Sequence, residues 1–189
     1  MPLFSFGSKK SKVRKMIESE DIERAVNQAL SDKKFLEALI ELLEDDVPGI
    51  RGDAMLVLSE VISKESSTLK NKINDKFILK IIELSSQRNS YVKDNAMVLL
   101  NAMIQNYPEA MSKYRDKIAP KLIEMLEVGD KNDKAFALLM IKELKIKEAM
   151  PKVEELLEVQ DKVILPFEGR KWVPLGEIAK EVLETLGGE

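Results

Sequence analysis

The sequence predicts an all-α fold, a solenoid of stacked helix pairs with one small β-hairpin before the last helix. Three observations predict it. First, Ala54, Ala96, Ala137 and Ala179 stand 42, 41 and 42 residues apart in one apolar frame. Leu58, Leu100, Ile141 and Leu183 follow them by four residues, and Val61, Met103, Leu144 and Leu186 by three more. A period near 40 marks stacked helix pairs, because one pair alone cannot bury its apolar face. Second, the partner helices carry their own mark: Glu41-Leu42, Glu83-Leu84, Glu124-Met125 and Glu155-Leu156. Third, strand-forming residues concentrate in one stretch, 161–174.

The elements follow in order. Residues 1–10, with Pro2, Gly7 and Ser8, read as a flexible lead. A short helix starts near Ser11, with Val13, Met16 and Ile17 on one face, and a second runs Glu20–Leu30. Asp32 caps a third, whose Phe35, Leu36, Leu39, Ile40, Leu42 and Leu43 form a wide apolar face. Asp45 to Gly49 is a turn, and Pro48 suits the first turn of the next helix. Residues 49–64 and 90–106 are first helices, and 69–86 and 109–128 are their partners. A shorter pair covers 131–144 and 148–158. The last helix, 175–186, stops at Gly187-Gly188.

The even period hides an irregularity. From the partner-helix leucine or methionine to the next motif alanine is 12 residues three times (42 to 54, 84 to 96, 125 to 137), then 23 (156 to 179). The third unit is compressed, and its missing length reappears at 161–174. There Val163, Ile164 and Leu165 face Trp172 and Val173 across Pro166-Phe167-Glu168-Gly169-Arg170, which reads as a hairpin.

Composition narrows the functional classes. The 189 residues suffice for one domain with a sizeable core. With no cysteine and no histidine, disulfides, the usual zinc sites and Ser–His or Cys–His catalysis are excluded. No apolar run reaches the ~18 residues of a membrane span, and no secretory leader is apparent, so a cytoplasmic location is expected. Aromatic content of 5% argues against a stacking platform for single strands. Net charge is -3, unevenly placed. Residues 1–17 hold Lys9, Lys10, Lys12, Arg14 and Lys15 and no acid, so the rest keeps 25 of the 30 basic residues against all 33 acidic ones.

The stretch from Asp133 to Leu144, followed by Glu148-Ala149-Met150-Pro151-Lys152-Val153-Glu154-Glu155-Leu156-Leu157, resembles HEAT repeats. The similarity is to the short bacterial and archaeal kind related to phycobiliprotein-lyase repeats. Leu175 to Gly187 also resembles a first helix of that family, and the likeness spans about residues 20–189. It implies a right-handed α-α superhelix of HEAT/armadillo type, curved, with second helices lining the concave side. The family often places a basic residue where Arg51, Lys93 and Lys134 stand; Gly176 departs from it. Such repeats serve many roles, so the resemblance speaks to fold rather than function.

The chain therefore divides into a basic, partly flexible arm, 1–17, and a repeat domain, 18–189. The arm's Lys9, Lys10, Lys12, Arg14 and Lys15, next to Leu3, Phe4 and Phe6, would touch an anionic surface at about 1 kcal/mol per cation; the simpler reading is a solvated tail leading into a capping helix. In the hairpin, Phe167, Arg170 and Trp172 group aromatic and cationic anchors on an inserted loop; the simpler reading has Trp172 packed onto the last helices, as in a Gly-x-Trp hairpin common in the family. Arg51, Lys93 and Lys134 are expected to set the stacking register through bonds between repeats. Tyr91, Tyr107 and Tyr114 are read as inter-repeat packing near one turn, and the nine methionines as core filler. No cofactor and no enzymatic activity are expected. The sequence indicates a non-catalytic protein–protein scaffold or adaptor. A nucleic-acid-binding protein, like the HEAT-like DNA glycosylases, is an alternative that the acidic balance disfavours. A membrane-peripheral adaptor using residues 1–17 is another.

Overall fold

The structure, a computed structural model, describes residues 5–167 and 171–188. Leu3 and Phe4 lie outside the described residues, as do the Phe6 side chain and Glu168, Gly169 and Arg170. The described chain is mostly helical, with one two-stranded antiparallel hairpin near its end.

Helix α1 spans Ser5–Glu18, so the chain is helical before the expected start near Ser11. Val13 and Ile17 are fully buried, and α1 packs on α2 (Ile22–Ser31), α3 (Lys33–Glu41) and α4 (Pro48–Lys64). The part of the basic segment from Lys9 onward is thus joined to the core. Side-chain caps start the next helices. Asp21 accepts from the Arg24 amide, and Asp32 from those of Lys34 and Phe35.

Four later helices form two antiparallel pairs: α5 (Asp75–Ser85) with α6 (Ser90–Asn106), and α8 (Arg115–Val128) with α9 (Lys131–Glu143). Asn74 and Asn89 cap α5 and α6, while Asp130 and Asp133 form a capping box on α9. Contrary to the expectation for 49–64 with 69–86, the packing joins a second helix not to the first helix before it but to the one that follows it. That is the segment with the constant 12-residue spacing, so the invariant belongs to a short hairpin of helices. Between pairs, α4 packs on α2 and α6, α6 on α9, and α9 on α11 (Leu175–Gly187).

The variable lengths fall in the longer connections. The expected 69–86 helix starts only at Asp75; a 3₁₀ turn, Lys70–Lys72, takes the place of its first turn, after another at Ser66–Thr68. The 109–128 helix is broken at Tyr114 into α7 (Pro108–Lys113) and α8. Residues 148–158 give only a 3₁₀ turn (Lys147–Ala149) and the five-residue α10 (Met150–Glu154).

The motif alanines Ala54, Ala96, Ala137 and Ala179 are all fully buried. So are Leu58, Leu100 and Ile141, whereas Leu183, on the last helix, is only partly covered. Met55, Met97, Met103, Met111, Met125 and Met140 are buried in the same core. No described helix is long and apolar enough to cross a membrane.

Candidate partner-binding surfaces

In the hairpin, β1 (Lys162–Ile164) pairs with β2 (Lys171–Pro174). Val163 faces Val173, but Ile164 faces Lys171, so Trp172 is the extra residue of a bulge. Its φ of 62° is left-handed, a region that bulky side chains rarely enter. Val163 and Leu165 are fully buried, and β1 packs on α9. The Ile164 amide donates to Asn132 Oδ1 at 2.9 Å, tying the strand to that helix. Phe167 meets Phe136 edge to face, with centroids 6.3 Å apart.

These contacts separate the three hairpin candidates. Phe167 folds back onto α9, where it borders a pocket of about 420 Å³ with Asn101, Gln105 and Lys142. Arg170 lies outside the described residues. Trp172 does not pack onto the last helices, as the simpler sequence reading held. It is 66% exposed, beside Ile164 at 44%. Burying Val163, Leu165 and Val173 fixes the strand phase that turns Trp172 outward.

The basic residues of α1 are partly committed within the protein. Lys9 pairs with Asp32, and Arg14 Nε reaches Asp45 Oδ2 at 3.0 Å while its Nη1 pairs with Glu18. The Lys9 hydrogen bond, with the Phe35 amide, holds the Asp32 carboxyl below its usual range. Burial works to raise Asp45, but Arg14 and the Val47 amide outweigh it and the net shift is downward. Lys12 and Lys15 are exposed and Lys10 half-buried.

The series Arg51, Lys93, Lys134 does link neighbouring pairs, twice. Arg51 donates to the Asp45 carbonyl at 2.6 Å and to Gln87 Oε1, beyond α5, at 3.1 Å. Lys93 lies 2.6 Å from Asp130 and 2.7 Å from the buried Asp133 at the start of α9. Burial opposes the Lys93 charge, and the two carboxylates still hold its pKa above the usual range. Lys134 has no ion pair among the described residues. The series ends at Gly176 for a steric reason. A Cβ there would lie 2.2 Å from the Leu157 carbonyl oxygen, and the Gly176 amide donates to Val159.

The tyrosines do not share one turn. Tyr91, at the start of α6, lies over Gly52 and donates to Asp53 at 2.6 Å. Tyr107, at the other end of α6, donates to the Ser66 carbonyl at 2.6 Å, and burial pushes its pKa up to about 12.

A second ladder was not read from the sequence. Lys80, Lys121 and Lys152 each stand four residues before the partner-helix mark Leu84, Met125 or Leu156. Each pairs with a glutamate three residues on: Glu83, Glu124 and Glu155. Lys80 also reaches back to Glu44 at 2.9 Å, and Lys152 to Glu127 at 3.3 Å. Glu44 and Glu127 both stand two residues after their own mark. The equivalent residue opposite Lys121 is Ser86. An open groove of about 740 Å³ lies at that interruption, between α5 and α8. Leu79, Ile82, Met125 and Val128 give it apolar patches, and Val128 is 78% exposed. The signal, Lys-x-x-Glu before each mark, is in the sequence, but its meaning needs the helices side by side.

No family model and no curated protein matches the chain.

Proposed function

We propose that the chain is a right-handed α-α superhelix of HEAT/armadillo type that acts as a non-catalytic scaffold or adaptor for another protein in the cytoplasm. The observation that carries this reading is Trp172. A large indole is two-thirds exposed on a bulge with an unfavourable backbone conformation. Strain of this kind persists where the surroundings enforce it, and it concentrates at ligand-contacting positions. Tryptophan is also favoured among the residues that dominate interface energies. Packing from pair to pair along the chain supports the superhelix.

The lysine–glutamate alternation on the second helices weighs against nucleic acid, which calls for a basic stripe. The ion pairs of Lys9 and Arg14 likewise weaken a membrane role for the N-terminal segment.

The test is site-specific photocrosslinking in the source cell, with the probe at position 172 of the full chain. One dominant protein adduct is expected from this site and none from a probe at Lys180 on α11. Equal, diffuse labelling at both sites would remove the support that Trp172 gives to the scaffold reading.

A further inference from the structure

The interruption of the lysine–glutamate ladder defines what is absent from it. In each complete link, one lysine sits between two carboxylates, its own helix's glutamate and one from the preceding second helix: Glu44, Lys80, Glu83 and then Glu127, Lys152, Glu155. The middle link has Lys121 and Glu124 but Ser86 in place of the second acid. The side chain of Lys121 is correspondingly the most open of the three, 58% exposed against 20% for Lys80 and 37% for Lys152. Ser86 does not substitute for the acid, because its hydroxyl turns back to the Ile82 carbonyl. Lys76, on the same groove, has no ion pair among the described residues. The open position is flanked by apolar surface at Leu79 and Val128.

We propose that the groove between α5 and α8 receives an acidic side chain from an amphipathic segment of a partner protein. Its carboxylate sits on Lys121, in the place that Glu44 and Glu127 fill in the neighbouring links, and its apolar flank lies against Leu79 and Val128. The inference rests on reading the chain as a protein-binding scaffold, and it gives that scaffold a preferred partner chemistry. A charge-assisted bond supplies the specificity and the apolar flank adds contact area. The site is at the seam of two helix pairs, so an occupant would touch both.

The ladder also supplies its own competitor. Ser86→Glu places an internal carboxylate where the partner's would bind. In the register of Glu44 with Lys80 it should pair with Lys121. A glutamate at a helix C-terminus is mildly unfavourable, which the new pair offsets, so the melting temperature should stay near that of the parent.

Displayed random peptides would be selected on the full-length protein, then measured against Ser86→Glu, Lys121→Gln, Lys180→Gln and Trp172→Ala. The expected peptides carry Asp or Glu beside apolar residues. They should bind Ser86→Glu and Lys121→Gln about tenfold or more weakly, consistent with loss of a hydrogen bond to a charged group. Lys180→Gln, on α11 away from the groove, should bind them as the parent does, and added salt should weaken the parent complex. Peptides with no acidic preference, or with unchanged binding to both groove variants, overturn the groove. If such peptides are instead lost on Trp172→Ala, the scaffold reading stands through the hairpin alone. Recovery of no peptide on any form overturns the groove and leaves the crosslinking at position 172 to judge the scaffold. Should Ser86→Glu fail to fold, Lys121→Gln decides.

Discussion

The pairs α5–α6 and α10–α11 bury the same kind of surface by different means. In the first, an 11-residue helix ends at Ser85, a short loop follows, and Asn89 caps the next helix. In the second, the partner helix is only five residues long, and twenty residues separate it from α11. Part of that length is the hairpin, whose Val163 and Leu165 are as fully buried as Leu84 in α5. Where the partner helix is short, strand β1 packs on α9. The repeat therefore conserves buried area more strictly than it conserves helix.

This comparison breaks most directly at Leu165. If the hairpin is structural, Leu165→Ala should cost about 2–5 kcal/mol, in the same range as Leu84→Ala, because both create a cavity at a fully buried site. Urea denaturation of the two variants checks it. A loss below about 0.5 kcal/mol at Leu165 beside a full loss at Leu84 would make the hairpin an ornament and sink the equivalence.

A smaller effect separates an interior helix from a terminal one. Ala96 and Ala179 are both fully buried, but α6 is packed by α4, α5 and α9, whereas α11 packs mainly on α9 and the short α10 and β2. Ala96→Leu should overpack and cost about 1–3 kcal/mol. Ala179→Leu should cost less, since fewer helices confine α11. A thermal melt unchanged by Ala96→Leu would count against the repeat alignment itself.

A phenol ties the long connection after α4 to the end of α6. Tyr107→Phe removes the bond to the Ser66 carbonyl and should cost about 1 kcal/mol at neutral pH. The pH dependence has a definite sign. The folded pKa, about 12, lies above the ordinary tyrosine value, because burial disfavours the phenolate. The stabilisation is complete below the unfolded value and is lost as pH rises through the folded one. The gap between parent and Tyr107→Phe in melting temperature should therefore shrink above pH 10. A gap that widened there would mean the phenol is not neutral in the fold.

Particular residues show what the sequence could convey. The alanine period, the 12-residue spacing and the hairpin were legible, because each follows from which residues must be buried. The break at Tyr114 and the shortness of α10 were not, since both stretches have ordinary helical composition and only packing decides their ends. The Arg51 and Lys93 links were anticipated, and Gly176 as the point of departure was visible without its cause, the Leu157 carbonyl. The Lys121 groove was hidden, although Lys121 and Glu124 repeat on schedule and Ser86 breaks it, because the partners lie in successive pairs. For Trp172 the sequence offered two readings, a partner anchor and a residue packed on the last helices, and the exposed indole does not fit the packed one. Two apolar residues in a row, Trp172-Val173, leave the strand phase undetermined, and a one-residue choice reverses which of them faces inward.

That reversal gives the last and smallest prediction, and its sign is the informative part. Trp172 contributes little burial, being two-thirds exposed, but its left-handed backbone is costly for a large residue. Asparagine tolerates that conformation, so Trp172→Asn should raise stability slightly, by about 1 kcal/mol or less, with an unchanged urea slope. The same change should abolish the partner contact proposed for the hairpin. A residue whose removal stabilises the fold and silences binding is retained for binding, as stability and function trade against each other at strained sites. Loss of stability on Trp172→Asn would instead mean that the indole supports the hairpin. The comparison between the two pairs would then sharpen differently, with the strand needing its tryptophan where the helix needs only its leucines.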